Sequence, residues 1–372
     1  MRSEGKMLPA LVLGLVFLTG IFGKGPAALA GPALLFEPSN GKVLYAEDVD
    51  NLWHPASLTK IMTAYLAFEA LKEGKLKLDD KVICSLVATL QPPSKVGLPV
   101  GGELTVDLAL QAVIVKSAND VTVMLGEAIA GSETAFVQKM NATAKRLGMT
   151  RTNFVNTNGL PDPAQVTTAR DLAKLARAVV IEYPEHAHYW SAPDMRLGKR
   201  RLGSHNALLK TFPGADGLKT GFTCDSGFNV VASATRDGRR LMAVVLGESS
   251  GNERAIRAAS LLEHGFQNYG WKELFNQTSI DSLAIDPSAK PAMSVRESVM
   301  SWDCGNGRRR TNRANIASRN KSLKAKVAAV KAKSKKKGET QQARPALKGT
   351  QVGAEPAASA AMPKAAASAK AP

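Results

Sequence analysis

Apolar and polar positions along the chain change period twice. Near the start, "ALLFEPSNGKVLYAED" holds two apolar-rich runs around Ser39-Asn40-Gly41. Asn-Gly tolerates positive φ and is the strongest short hairpin signal, so an antiparallel strand pair is predicted there. Residues 57–73 then place Leu58, Ile61, Met62, Tyr65, Leu66 and Leu71 at helical spacing, with no Gly or Pro before Gly74. That spacing predicts a helix. From about 105 to 200 the pattern stays mostly helical. "TVDLALQAVIVKSANDVTVMLGEAIA" carries two apolar-periodic segments separated by the polar "KSAND", and "ETAFVQKMNATAKRLG" is a further amphipathic helix ended by Gly148. "TTARDLAKLARAVV" starts from Thr167 or Thr168 as its cap, with Asp171 in the first turn, where the helix dipole favours a negative charge.

From about 217 the period becomes two. "GLKTGFT" reads as a strand, and "GFNVVASAT" and "RRLMAVVLG" read as two more, joined by the tight turn "RDG". "NERAIRAASLLEHGF" then returns to helix. Strands from both ends of the chain therefore bracket a helical middle. The simplest assembly is an α/β (α+β) fold with one antiparallel sheet of about five strands covered by helices, the middle helices forming a separate lobe. A cleft between lobes is a usual place for a site.

Composition changes the picture mainly at the ends. An apolar fraction of 44% in 372 residues is enough for a real core. Arg2 and Lys6 lead into the apolar run "LPALVLGLVFLTGIF", followed by small residues at Ala28 and Ala30. This is the layout of a secretory signal peptide over residues 1–30, with Gly31 as the mature start. The run is short against the roughly 20 residues of a membrane span, so the protein is expected outside the cytoplasm, in the periplasm or associated with the cell envelope. The net charge of +17 is concentrated in residues 305–372, which hold 17 Lys and Arg against Glu339 and Glu355; the other 304 residues carry only +2. That low-complexity stretch cannot bury enough apolar surface to offset its chain entropy, and a disordered basic tail is expected. Its attraction would be to anionic envelope polymers or lipid head groups; nucleic acid is excluded as a partner for an exported protein. Residues 276–304 read as a linker or a short β extension, with "TSIDSLAI" as one strand. Cys84, Cys224 and Cys304 cannot all pair within one chain, and their spacing suggests neither a metal site nor a disulfide framework, leaving small buried groups or a single bridge.

Candidate chemistry starts from Ser57-x-x-Lys60 in "HPASLTKIMTAYLAF". A Ser hydroxyl becomes a nucleophile when a base lies within hydrogen-bond reach and donors face the developing oxyanion. At i, i+3 the two side chains share a helix face. Lys60 sits among Leu58, Ile61 and Met62, and desolvation lowers a Lys pKa until the neutral amine is available as a base. First-turn N–H groups have no partner within the helix, so the Ser57 N–H is a candidate oxyanion donor. The four-letter pattern alone is weak, because Ser3/Lys6, Ser318/Lys321 and Ser334/Lys337 match it too. Ser117-Ala118-Asn119 lies in the polar break between two helices, offering a proton relay and an amide for substrate, although S-x-N recurs at Ser204/Asn206 and Ser318/Asn320. Lys219-Thr220-Gly221 occurs once, on a predicted strand. Gly221 leaves room for a substrate backbone, Lys219 adds charge, and Thr220 adds a hydroxyl for a carboxylate or carbonyl.

In this order, S-x-x-K at a helix start, S-x-N about sixty residues on and K-T-G on a late strand resemble the active-site serine penicillin-recognising enzymes. "HPASLTKIMTAY", "KSAND", "TNFVNTNGLPD", "TTARDLAKLAR", "DGLKTGFT" and "NVVASATRDGRRLMAVVLG" resemble the low-molecular-mass D-alanyl-D-alanine carboxypeptidases of the S11 serine peptidase family over about residues 33–270. The resemblance implies a β-lactamase/transpeptidase-like fold, no cofactor, and a peptidoglycan stem peptide ending in D-Ala-D-Ala as substrate, with β-lactams as mimics. It implies Ser57 as the acylated nucleophile, Lys60 as its base, and Ser117, Asn119 and Lys219 as the rest of the proton relay and substrate contacts. The oxyanion donors would be the N–H of Ser57 and of Thr223 or Phe222, and Arg254 would bind the terminal carboxylate with Thr220. Two positions depart from relatives: Phe222 stands where some carry His after K-T-G, and Asn158 where relatives can carry His. A serine β-lactamase, a D,D-endopeptidase and a non-catalytic envelope-binding protein are the competing functions. The first generally needs a Glu-positioned water, and "NTNGLPDPAQVTTARD" has no Glu, with Glu182 and Glu185 falling later.

Overall fold

The computed structural model describes residues 31–275, 278–299 and 304. Five strands, β1 (Ala33–Phe36), β2 (Val43–Glu47), β3 (Ala215–Thr223), β4 (Gly227–Arg236) and β5 (Arg239–Glu248), form one sheet in the order β2-β1-β5-β4-β3, with every pair antiparallel. The Ser39-Asn40-Gly41 turn joins β1 to β2, with Gly41 at φ 74°. β4 and β5 are joined through Asp237 and Gly238, both at positive φ, the conformation a two-residue hairpin requires. The period of two has its expected consequence. Leu34, Phe36, Val231, Met242 and Val244 belong to one core cluster, while Leu35, Val230, Ala232, Ala243 and Val245 belong to a second. Both faces of the sheet are thus buried.

Among the described residues, five helices longer than ten residues complete the frame: α1 (Lys60–Lys72), α2 (Asn119–Ala130), α3 (Glu133–Arg146), α4 (Ala169–Glu182) and α5 (Gly251–Phe275). Ala258, Leu262 and Tyr269 of α5 pack on one sheet face, and α1 and α4 join the cluster on the other. α1 is buried continuously from Lys60 to Phe68, as a helix at the centre of a core must be. The caps follow the side chains: Thr168 Oγ1 accepts from Asp171 N at 3.0 Å at the start of α4, and Ser132 Oγ accepts from Ala135 N at 3.1 Å at the start of α3.

Two features differ from the pattern reading. The helix predicted from residue 57 begins as a 3₁₀ turn, Ala56–Thr59, and becomes α-helical at Lys60. Residues 278–299 form no regular strand. Ser279 makes one isolated bridge to Lys42, and the rest wraps the domain as irregular chain. Arg170 holds this strap: it pairs bidentately with buried Asp50 (Nε–Oδ1 2.7 Å, Nη2–Oδ2 2.9 Å) and donates to the carbonyls of Ile280, Leu283 and Ala284. Further along, Arg296 pairs with Asp225 at 2.8 Å, and a disulfide joins Cys224 to Cys304. Cys84 is a buried free thiol. Among the described residues no helix is long and apolar enough to cross a membrane, and no cluster of metal-ligating side chains occurs. The expected signal peptide, the basic tail and the matches Ser3/Lys6, Ser318/Lys321 and Ser334/Lys337 lie outside the described residues.

Candidate active site

The sheet holds the turn that carries Ser57. Asn229, buried at a bulge between β4 and β5, donates from Nδ2 to His54 O (3.0 Å) and Pro55 O (3.3 Å), and its Oδ1 accepts from Gly247 N (2.9 Å). Trp53 Nε1 donates to Ser226 O at 2.9 Å. Ala56, the first residue of the 3₁₀ turn, sits at φ 48°. β3 lies against this turn so closely that a Cβ on Gly221 would stand 2.9 Å from Pro55 O, 3.0 Å from Ser57 N and 3.1 Å from Leu58 N. Only glycine fits there. Its role in the structure is to let strand backbone and Ser57 turn approach, which is a nearer contact than the substrate clearance expected from sequence.

Lys60, the first residue of α1, is fully buried. Its Nζ lies 2.9 Å from Ser57 Oγ, 2.8 Å from Asn119 Oδ1 and 2.7 Å from Asn158 O. Burial holds its pKa well below the usual Lys range, the nearby Lys219 charge adds to that, and Asp120 works against it. Asp120 also accepts from Val96 N and Gly97 N at 3.1 and 2.8 Å, tying the loop before it to the start of α2.

The "KSAND" break is built by a π-helical turn, Ala112–Lys116, which ends in Ser117 at φ 61°, ψ 40°. A non-glycine residue in the left-handed region is uncommon, and such residues cluster at functional sites. The break turns Ser117 toward β3, where Lys219 Nζ donates to its Oγ at 2.9 Å and to Thr220 O at 3.0 Å. Lys219 is buried, and burial together with the charge of Arg254 pushes its pKa down to about 7. Asn119 donates from Nδ2 to Pro92 O (2.9 Å) and from its backbone to Ser94 O (2.7 Å).

Ser57, Ser117, Asn119, Thr220, Gly221, Thr223 and Arg254 all line one cleft of about 390 Å³, with Lys60 and Lys219 behind its serines. Arg254 is buried, donates to His205 O at 3.3 Å, and has no carboxylate partner among the described residues. Arg257, one turn on, is spent on Glu47, Glu248 and Gly31 O. Thr223 lines the cleft, but its N–H donates to Ser226 Oγ at 3.0 Å. Of the two expected oxyanion donors after Gly221, that engagement favours Phe222. Sequence reasoning missed the acceptors Asn158 O, Pro92 O and Ser94 O, because every residue carries a carbonyl. It also set aside Ser204-His205-Asn206 as a recurrence of S-x-N, yet His205 forms part of the cleft wall. No carboxylate lines the cleft among the described residues; Glu182 instead accepts from Tyr65 Oη at 2.7 Å.

Comparison with known proteins points the same way. The family model for D-alanyl-D-alanine carboxypeptidase, peptidase family S11, matches residues 23–250. The D-alanyl-D-alanine carboxypeptidase DacF of Bacillus subtilis (strain 168) is 36% identical over 290 residues, 73% of this chain and 74% of the relative. Penicillin-binding protein 5 from Haemophilus influenzae superposes with a TM-score of 0.62 at 36% identity, covering 64% of this chain and 71% of that one. Penicillin-binding protein D2 from Listeria monocytogenes, in a cefotaxime-bound form, gives a TM-score of 0.58 at 34% identity, covering 64% and 97%. With a shared sheet, the three motifs in one cleft and the family model matched over most of the domain, the chain belongs to the D-alanyl-D-alanine carboxypeptidase family of serine peptidases.

Proposed function

We propose that the protein removes the terminal D-Ala from peptidoglycan stem peptides ending in D-Ala-D-Ala, through an ester on Ser57. The observation that carries this reading is the fully buried Lys60 amine 2.9 Å from Ser57 Oγ. As a neutral amine it keeps two N–H bonds for Asn119 Oδ1 and Asn158 O and turns its lone pair to the serine hydroxyl. Ser57 Oγ attacks the penultimate D-Ala carbonyl carbon while its proton passes to Lys60. The oxyanion is held by the N–H groups of Ser57 and Phe222. Breaking the C–N bond releases D-Ala, whose amine takes a proton through Lys60, Ser117 and Lys219. Water then attacks the ester, gives its proton to the same relay, and frees the shortened peptide with Ser57 restored. Arg254 and Thr220 bind the terminal carboxylate of the substrate, and Asn119 the peptide amide. No cofactor enters these steps.

The Cys224–Cys304 disulfide fits an oxidising compartment outside the cytoplasm, in line with export by the N-terminal segment to the periplasm or cell envelope. The basic residues of 305–372 would add salt-sensitive attraction to anionic envelope polymers. β-Lactams acylate Ser57 as substrate mimics. That no carboxylate lines the cleft among the described residues to position water favours slow deacylation over a β-lactamase.

The test is mass spectrometry after incubation with fluorescent penicillin, alongside D-Ala release from a pentapeptide. A stable adduct on Ser57, absent in Ser57→Ala, and D-Ala release are expected. No adduct on the wild type would sink the mechanism. An adduct that vanishes within seconds would favour the β-lactamase reading, and cleavage of cross-linked dimers in preference to pentapeptide would favour the endopeptidase.

A further inference from the structure

Residues 31–304 are balanced in charge, with 29 Lys and Arg against 29 Asp and Glu. Between 192 and 211 that balance breaks: Arg196, Lys199, Arg200, Arg201 and Lys210 stand against Asp194 alone. This stretch contains an antiparallel hairpin of two short strands, Asp194–Leu197 and Arg200–Gly203, with Gly198 at φ 56° in its turn. Alternation sorts its side chains. Met195 is buried in the main core, and Leu197 and Leu202 pack against it. Arg196 and Arg201 are exposed on the other face, with Lys199 and Arg200 exposed at the tip. Arg196 and Arg201 are directly opposite in the register, and like charges so placed destabilise a strand pair. Asp194 answers only one of them, pairing with Arg201 at 2.5 Å. Arg196, Lys199, Arg200 and Lys210 have no ion-pair partner among the described residues.

The hairpin borders the cleft. It packs against the π-helical turn Ala112–Lys116, which presents Ser117. Its second strand runs on through Ser204 to His205, in the cleft wall beside Arg254. The chain from Arg201 to His205 spans at most about 14 Å. Charges act over such a distance when salt is low, since the Debye length is about 8 Å at physiological ionic strength and about 30 Å at 0.01 M.

The side chains of the hairpin discriminate between anionic partners. A membrane-binding surface sets apolar side chains beside its basic ones, and none of the exposed large apolar residues belongs to the hairpin. A polymer that carries carboxylates at intervals needs only a ridge of exposed cations. On the function proposed above, the substrate belongs to such a polymer, because each stem peptide ends in a carboxylate. We infer that the hairpin Asp194–Gly203 is a docking ridge for peptidoglycan polymer, binding the carboxylates of stem peptides that neighbour the one in the cleft. The inference rests on the Ser57 reading for the identity of the polymer.

The experiment measures kcat/KM for D-Ala release from two substrates, isolated peptidoglycan with pentapeptide stems and a soluble Nα-acetylated tripeptide ending in D-Ala-D-Ala. Each is assayed at ionic strengths of about 0.01 and about 0.15 M. Lys199→Gln combined with Arg200→Gln, in the full chain and checked for folding by its thermal melt, should lower the polymer value about fivefold at the lower ionic strength. The tripeptide value should change by less than about twofold, and the gap on polymer should narrow at the higher ionic strength. Equal losses on both substrates would place the effect in the cleft and overturn the ridge. An unchanged polymer value would overturn it as well, leaving the attraction to residues 305–372. A variant that loses binding to phosphatidylglycerol vesicles while keeping the wild-type polymer value would assign the hairpin to lipid instead. If the wild type shows neither penicillin label nor D-Ala release, the Ser57 reading falls by itself. Sedimentation with peptidoglycan then decides the ridge: a loss in the double variant supports it, and equal sedimentation overturns it.

Discussion

Two buried amines, Lys60 and Lys219, face two serines, and their titration should govern the pH profile. On the proposed mechanism Lys60 is neutral when it accepts the Ser57 proton, so acylation should rise as pH climbs through its lowered pKa. Lys219 must be charged to draw an anionic substrate, so kcat/KM falls as pH climbs through about 7. The profile should be a bell. Burial is the main cause of the Lys219 shift and the Arg254 charge the next. Arg254→Gln should therefore raise KM by about tenfold or more, through loss of a charged hydrogen bond, and move the alkaline limb upward. A raised KM with an unmoved alkaline limb would mean that Lys219 does not set that limb. At this scale the sequence was informative wherever a motif names a particular side chain: Ser57, Lys60, Ser117, Asn119 and Lys219 were picked out by type and spacing and Arg254 through the family resemblance, and the fold brings all six to one cleft. It was silent on Asn158 O and Ser94 O, since main-chain acceptors leave no mark in residue identity.

Between elements, the decisive contact is β3 against the turn before α1. Three backbone atoms, Pro55 O, Ser57 N and Leu58 N, lie within 3.1 Å of where a Gly221 side chain would stand. Backbone cannot swing aside as a side-chain tip can. Gly221→Ala should push the strand and the Ser57 turn apart by a few tenths of an ångström or more. Misplacement of that order, shared by the nucleophile and the oxyanion donors, should lower kcat about 10²-fold. Acylation by penicillin should slow in parallel, and the thermal midpoint should fall by several degrees, because forcing packed backbone apart costs about 1–3 kcal/mol. An Ala variant acylated at the wild-type rate would contradict the tight approach. The strands and helices themselves were legible from period and turn residues. The 3₁₀ start at Ala56–Thr59 was not, because the choice between 3₁₀ and α geometry at a helix start follows from how β3 and Asn229 hold the chain ahead of it.

For the whole molecule, the strap over residues 278–299 changes how the C-terminal part relates to the site. It is fastened at Lys42, at Asp50 through Arg170 and at Asp225 through Arg296; beyond it, Cys304 is joined by a disulfide to Cys224, 80 residues away in sequence. Cys224 directly follows Thr223, so the bridge anchors the rim of the cleft. Closing a loop of that length is worth about 4 kcal/mol in the chain-entropy limit. Cys304→Ser should lower the midpoint of unfolding by on the order of 10 °C for a domain of this size. Scanning calorimetry of the variant and of the reduced wild type checks this. An unchanged midpoint in both would show the polar contacts alone to be sufficient.

Period, turn chemistry and motif spacing are properties of neighbours along the chain, and they yielded the five-stranded sheet, the helical middle and the order Ser57–Lys60, Ser117–Asn119, Lys219–Gly221. Which of three cysteines pair, how deeply the two lysines are buried, that Thr223 N–H is taken by Ser226, and that a basic hairpin borders the cleft are properties of groups brought together across tens of residues or more, or across a turn whose shape the packed sheet imposes. Burial and close approach arise only when distant segments meet, so these features became visible in the folded molecule. Ser57-x-x-Lys60 joins the two levels. Its spacing was local, while the neutral, proton-accepting form of its amine is favoured by the core built around Lys60.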